Sequence, residues 1–480
     1  MNRFQAGAKI KTILSGTLLA QIIPFIVLPL LSRLYLPEEF GYFSLYFVWA
    51  LTIGNCFAYR YEMSIVIAKT EKRALELSQL CVFNILASCI VLLLIMFLLH
   101  FISRLYVPIS VDAILSMSII VSGASIAIAN VYMSFKNRCG QYSAMSFVMI
   151  SQQMLVSIFK VFFGTLCAIA AGLYLGHTAG LVLVGLYCLY SLKHVTKNGI
   201  ITKLKYIVLA KRYKKFPIFN LPLTILTSFS NGFLITVLFW FEMVVAAGLV
   251  GLSRTLINAP VGILTRSIGK VFFELAAKEL HEHHSTVEEF VNKTMFMIIR
   301  LALLPALFLA FYAENFLIIL LGDRWVGVGP YAALLVPVAF MLLLTAWPER
   351  IFEVSNKQEV ILKYQVFFDS LTVVLLIFIS YSIREPLITT AVYSAMAIIY
   401  NIGYLYLVYR VGQFRTISFF NILKTTAYLT IMHFLVLLFI GMIFENIMLS
   451  IGLSFGYVIV TSLINIKVLK QKSKLSRGGL

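Results

Sequence analysis

Apolar residues along this chain gather in fourteen windows, at about 12–32, 40–67, 77–101, 112–135, 142–167, 173–192, 216–239, 244–267, 294–313, 330–346, 364–381, 386–409, 425–444 and 446–466. Most supply the roughly 20 consecutive apolar residues that a helix needs to cross a bilayer. The pattern predicts an all-α, polytopic membrane protein of about fourteen transmembrane helices. Two places blur the count. Phe316 to Leu321 is apolar but too short to span, and the last two windows are parted only by Glu445.

Polar residues inside the windows fall in stripes. In the fifth window Ser146, Gln153, Ser157, Lys160 and Gly164 share one helical face. The seventh holds Asn220, Thr224, Thr227 and Asn231 beside Pro222, the eighth Arg254, Asn258, Gly262 and Thr265, and the first Thr17, Gln21 and Pro24. Small and polar residues also join helices in membranes, so a single Ser or Gly carries little. A stripe that includes Lys or Arg points instead to a watery interior.

The intramembrane charges sharpen that reading, since each costs roughly 2.5–3.5 kcal/mol near the bilayer centre. The cations are Arg60, Lys160, Arg254, Arg266 and Arg300, and the acids are Glu62 and Asp369. Arg60 and Glu62 are two residues apart, which on a regular helix sends them to different faces and prevents simple neutralisation. The excess of positive charge calls for an anionic ligand, and arginine's planar fork suits phosphate oxygens. Arg60, Arg266 and Arg300 lie near the cytoplasmic ends of their windows and can snorkel, whereas Lys160 and Arg254 lie deeper. Substrate contacts are therefore expected from Arg60, Lys160, Arg254, Arg266, Arg300, Asn220, Asn231, Asn258, Gln21 and Gln153. Glu62 and Asp369 are the candidates for ion coupling or for pairing with a neighbouring arginine.

The segment Glu39 to Leu45, which opens the second window, has a counterpart in Ala246 to Leu252, with Gly41 and Gly248 at matching places. The expected organisation is a six-helix lobe over 1–192, a basic cytoplasmic linker over 193–215, a second six-helix lobe over 216–411, two further helices over 412–466 and a basic tail over 467–480. Because six is even, the lobes form a parallel repeat. From Gly269 to Asn292, Phe272, Phe273, Ala276 and Leu280 recur at helical spacing among charges, which predicts a cytoplasmic amphipathic helix on the membrane or the lobe. His281, His283 and His284 there read as a solvated loop, and no metal site is expected.

The composition, 61% hydrophobic and 12% charged with a net charge of +19, fits the membrane class. Placement decides what the charge means. With the amino terminus inside, cytoplasmic loops and tails hold 30 Lys and Arg, against only Arg33, Arg104, Arg324 and Arg384 outside. That is the positive-inside asymmetry, so both termini are expected in the cytoplasm and nucleic acid is not an expected partner. The first window, long and without a clear cleavage site, reads as a retained signal anchor. Cys56, Cys81, Cys89, Cys139, Cys167 and Cys188 are scattered and read as small core residues. No phosphate loop, zinc-protease motif or nucleophile elbow occurs, so neither catalysis nor a cofactor is expected, and energy should come from an ion gradient, the membrane potential or the substrate gradient.

Several runs carry a resemblance. Leu30 to Tyr35, Pro37 to Gly41, Arg60-Tyr61-Glu62 followed by Ile65 to Ala68, Tyr213 to Pro217, and Gly322 to Trp325 before Gly329-Pro330-Tyr331 are similar to bacterial O-antigen and related polysaccharide flippases. Ala68 departs from the proline of that pattern, without bearing on any role. The resemblance implies the multidrug/oligosaccharidyl-lipid/polysaccharide exporter fold in the bacterial inner membrane. It also implies an undecaprenyl-diphosphate-linked oligosaccharide as substrate, with other polysaccharide assembly proteins as partners. The alternatives are a multidrug or cation antiporter of the same fold, which would want an acid-rich cavity; a peptidoglycan lipid-precursor flippase; and a membrane polysaccharide polymerase or ligase, which would want a large periplasmic loop.

Overall fold

The structure, a computed structural model, describes residues 3–105, 113–167, 171–195, 202–280, 284–355 and 357–475. It is helical from end to end of the described residues. The helices are α1 (Arg3–Leu34), α2 (Pro37–Cys56), α3 (Glu62–Val66), α4 (Glu71–Leu105), α5 (Ala113–Arg138), α6 (Tyr142–Phe162), α7 (Gly172–Val195), α8 (Lys203–Arg212), α9 (Leu221–Trp240) and α10 (Val244–Glu279). They continue with α11 (His284–Phe311), α12 (Ala313–Leu321), α13 (Val328–Thr345), α14 (Ile351–Val354), α15 (Gln358–Ser382), α16 (Pro386–Val411), α17 (Thr416–Ile443) and α18 (Ile447–Leu475).

Thirteen described helices are long and apolar enough to cross a membrane, so this is a multi-pass membrane protein. Each corresponds to one of the fourteen windows. The remaining window is α2, whose 20 residues reach about 30 Å but whose Glu38, Glu39, Ser44, Thr52 and Asn55 make it more polar than a span of this length usually is. Its start shows how a local motif sets a helix. Pro37 occupies the first turn, where no backbone N–H is needed, and the Glu39 carboxylate accepts a hydrogen bond from the Leu36 N–H at 2.6 Å.

Contacts divide the chain into two compact units, Met1–Gly248 and Leu249–Leu480. In the first, α1 packs along α6, α2 along α5 and α9, and α7 against both α5 and α6. Gly41 and Gly248, paired by sequence, meet in space: a side chain at Gly248 would fall on the Pro37 carbonyl oxygen, and one at Gly41 on the Val244 carbonyl oxygen. Only the lack of a Cβ lets the starts of α2 and α10 approach so closely. In the second unit α13 is the central helix, packed against α11, α12 and α16, with α17 and α18 against α11. Lipid tails are as apolar as leucine, so these helices are held by close packing, and large apolar side chains such as Phe378, Phe439 and Met442 remain exposed on their outer faces.

Three expectations change. The window 40–67 is not one helix: α2 ends at Cys56, and a turn over 57–61 leads into the short α3. The segment from Gly269 is no separate amphipathic helix, because α10 runs unbroken to Glu279. Phe272 and Ala276 are fully buried there, Phe272 edge-on to Trp347 at 5.3 Å, while Phe273 is exposed. The burial follows tertiary packing rather than a membrane surface. His281 and His283 lie outside the described residues. Among the cysteines, Cys81 and Cys188 are buried, but Cys139 is exposed at the end of α5 rather than in the core.

Candidate functional site

Between α2 and α3 the chain turns through Tyr59 and Arg60, both in the left-handed region at φ 49° and 62°. Such backbone is costly for residues with side chains and persists where surrounding contacts enforce it. Its consequence overturns the expected separation of Arg60 and Glu62. The left-handed turn folds the arginine back, so Arg60 Nη1 reaches Glu62 Oε1 at 3.1 Å, with the Glu62 side chain almost wholly buried. Arg60 Nε and Glu62 Oε2 are buried without a hydrogen-bond partner. Burial pushes the Glu62 carboxyl above its ordinary range, and Arg60 only partly opposes it. Around this turn Tyr61 donates to the Ala210 carbonyl at 3.1 Å, and Asn220 Nδ2 to Met63 Sδ at 3.4 Å. The basic linker, part of which folds as α8, and the start of α9 thus gather around the Arg60–Glu62 pair.

Lys160 occupies a different place in the same unit. Its ammonium lies 3.9 Å from the centroid of the Phe43 ring and has no hydrogen bond or ion pair with any described residue. Phe43 in turn meets the His177 ring at 5.5 Å, as does Tyr46, and Phe47 meets it at 5.7 Å. Beneath the rings the buried Tyr46 hydroxyl bonds to Ser122 at 2.6 Å, to His177 Nδ1 at 2.9 Å and to Thr178 at 3.1 Å. The Tyr35 hydroxyl donates to the Lys160 carbonyl at 2.7 Å, fixing α6 beside the end of α1. The result is a cation presented on an aromatic wall with a rigid polar backing. Phe43 and Cys56 are separated by about 20 Å along α2, so Lys160 and Arg60 do not form one site.

The stripe that named Lys160 divides. Ser146 packs against α1 where a side chain at Gly16 would stand, and Ser157 is buried, so these two serve helix contact, while Gln153 is half-buried. On α1, Gln21 is half-buried and Thr17 approaches Met149 Sδ at 3.9 Å. On α9, Thr224 and Thr227 return their hydroxyls to the carbonyls of Asn220 and Leu223, leaving Asn220 half-buried and Asn231 exposed.

In the second unit Arg254 Nη2 donates to the Tyr393 hydroxyl of α16 at 2.7 Å, which orients the guanidinium of a half-buried side chain. Asn258 and Arg266 are exposed on α10, whereas Thr265 is buried and bonded to the Val261 carbonyl at 2.9 Å. Asp369 is half-buried on α15, close to Tyr400. Arg300 is half-buried on α11, and its carbonyl accepts from Asn465 Nδ2 at 2.9 Å. The motif from Gly322 to Trp325 is structural: Gly322, at φ 98°, ends α12, Trp325 is fully buried, and the Glu314 carboxylate accepts the N–H groups of Gly327 and Gly329 at the start of α13.

Phe43, Tyr46, His177 and Tyr393 were not singled out by sequence. A histidine within an apolar window, as at His177, was the available signal; the aromatic residues resemble any core residue until the helices are packed.

The helical architecture is similar to that of solved flippases and transporters. Over 97% of this chain and 99% of the other, it superposes on a lipid II flippase MurJ in an inward closed conformation, with a TM-score of 0.70 at 12% identity. It also resembles an inward-facing multidrug resistance MATE transporter of the MOP superfamily, with a TM-score of 0.52 at 15% identity over 83% of this chain and 95% of that one. A MATE protein in complex with MaL6 gives 0.54 at 16% identity over 84% and 96%. No curated protein matches significantly in sequence. Residues 30–330 match the model of the polysaccharide biosynthesis protein family, and the chain belongs to that family.

Proposed function

We propose that the protein is a flippase that moves an undecaprenyl-diphosphate-linked oligosaccharide, an O-antigen or similar surface repeat unit, from the cytoplasmic to the periplasmic leaflet of the bacterial inner membrane. The observation that carries this reading is Lys160: an ammonium within a membrane span, held on the Phe43 ring, with no carboxylate partner among the described residues. Such a group is stabilised by an anionic ligand. Arg254, oriented by Tyr393, supplies a fork for phosphate in the other unit. Asparagine and glutamine side chains at Gln21, Gln153, Asn220, Asn231 and Asn258 provide partners for sugar hydroxyls, and the prenyl tail stays in lipid.

Two six-helix lobes in parallel repeat alternate access to the substrate, with α17 and α18 added after them and both termini cytoplasmic. Outward movement of one negative charge across an inside-negative membrane is favoured by about 2.3 kcal/mol per 100 mV. Glu62, buried, with Oε1 paired to Arg60 and Oε2 without a hydrogen-bond partner, is the better-placed of the two acids for a coupled proton. A second reading, a peptidoglycan lipid-precursor flippase, draws on the greater structural likeness to MurJ than to the MATE proteins.

The test is to deplete the protein in its own host and identify the lipid-linked saccharide that accumulates on the cytoplasmic leaflet. A surface-polysaccharide repeat unit supports the first reading and a peptidoglycan precursor the second. Accumulation of neither, with resistance to cationic drugs reduced, would replace both by drug export.

A further inference from the structure

Within the second unit, α11, α17 and α18 line a cavity of about 480 Å³, in the range of ligand pockets, with two cations at one end and a mixture of apolar side chains, hydroxyls and His433 beyond them. Arg300 and Lys424 line it together with Asn465, and Leu429 and Met432 line it further along α17. Neither the Arg300 guanidinium nor the Lys424 ammonium has a hydrogen bond or ion pair with a described residue, and the Asn465 amide is turned toward the Arg300 carbonyl. Lys424 escaped notice because it falls one residue outside its apolar window, although α17 begins eight residues earlier, at Thr416.

Helix arithmetic sets the depth. The turn joining α17 to α18 lies between Ile443 and Ile447. Lys424 and Asn465 stand roughly 27–29 Å from it along their helices, close to the full hydrocarbon thickness of a bilayer. The cations therefore sit at headgroup level on the face opposite that turn, and Leu429 and Met432 sit below them at acyl depth. The same face carries Arg410, Arg415 and Lys467, so on the charge rule it meets the anionic cytoplasmic leaflet.

We propose that this cavity is a binding site for an anionic membrane phospholipid, whose phosphate is held between Arg300 and Lys424 and whose acyl chains run down past Leu429 and Met432. A pair of cations at headgroup level with Leu429 and Met432 at acyl depth suits an amphiphile over a free anion. The site lies within one unit and is independent of the substrate reading above: its failure would leave the flippase assignment standing, and failure of the flippase assignment would leave the site standing.

The test uses the purified full chain in neutral detergent, titrated with phosphatidylglycerol, phosphatidylcholine, a short-chain prenyl diphosphate or inorganic phosphate, with binding read by native mass spectrometry and by melting temperature. Phosphatidylglycerol is expected to bind and to raise the melting temperature more than the other three. The Arg300→Gln/Lys424→Gln double variant should lose roughly tenfold or more in affinity, while Arg300→Lys/Lys424→Arg should keep most of it. Unchanged phosphatidylglycerol binding in the neutral double variant would overturn the site. Displacement of the lipid by the prenyl diphosphate would reassign it to substrate, and equal binding of inorganic phosphate would reduce it to a simple anion site. Should the double variant fail to fold, a photoreactive phosphatidylglycerol applied to the wild-type protein should mark peptides of α17 and α18 around Lys424 and Asn465; marks confined to other helices would equally overturn the proposal.

Discussion

Replacing Lys160 by methionine separates a ligand-binding cation from a structural one. The side chain keeps its length and its contact with Phe43 but loses its charge. The 3.9 Å approach to the ring is worth about 2 kcal/mol to a desolvated ammonium, whereas removing an ammonium from water with no carboxylate beside it costs several kcal/mol. The second effect is the larger, so the Lys160→Met protein should melt at the same temperature as wild type or higher. Binding should respond in the opposite direction. A charge-assisted hydrogen bond to a phosphate oxygen contributes about 1.5–3 kcal/mol, a factor of roughly 10–150 in affinity. The assay is paired: melting temperature of the purified protein, and the amount of surface polysaccharide and of cytoplasmic lipid-linked intermediate in cells that express each variant at equal level. Lys160→Arg should restore much of the transport. A methionine variant that transports normally, or one that loses transport only because it unfolds, would refute a ligand-binding role.

Other perturbations test the scaffold. Tyr46→Phe removes a buried hydroxyl that joins Ser122, His177 and Thr178, and should destabilise the protein by about 1–3 kcal/mol, read as a lower melting temperature. Gly248→Ala places a methyl group on the Pro37 carbonyl and should destabilise by about 1–3 kcal/mol in the same measurement, since α2 and α10 must separate. Because burial raises the folded-state value of Glu62, the folded protein holds that proton more tightly than the unfolded chain. Its contribution to stability is full below the ordinary glutamate value of about 4.3 and is lost as pH rises through the raised one. The melting temperature of Glu62→Gln relative to wild type should therefore rise across that window, and a constant difference would show that burial does not shift Glu62. If Glu62 also couples transport to protons, the glutamine variant should bind substrate but no longer respond to an imposed pH gradient.

The spans were legible in the sequence because length and apolarity alone decide them: every window has a helix, even the pair parted by Glu445, where α17 ends at Ile443 and α18 starts at Ile447. The start of α2 was set by hydropathy at residue 40, whereas Pro37 and the carboxylate of Glu39 open the helix three residues earlier. Left-handed backbone at Tyr59 and Arg60 was not legible, since neither is a glycine or asparagine, and the helical-spacing rule then gave the wrong geometry for Glu62. Nor could periodicity separate the burial of Phe272 against Trp347 from a membrane-facing stripe. The aromatic setting of Lys160 joins residues 117 positions apart and exists only after α2 and α6 have packed around α7. Arg254, by contrast, was identifiable as an interior cation, but its partner Tyr393 was not.

Translocation by the purified protein is the most direct measurement. With a fluorescent short-chain prenyl diphosphate bearing one repeat unit in proteoliposomes, a membrane-impermeant quencher reports the fraction on each leaflet. Wild-type protein should equilibrate the probe across the bilayer faster than empty liposomes, faster still under an electrical potential that favours movement of negative charge in the transport direction, and Lys160→Met and Arg254→Ala should each slow it roughly tenfold or more. Leaflet exchange no faster than in empty liposomes, or exchange that both variants support at the wild-type rate, would contradict a flippase that works through interior cations.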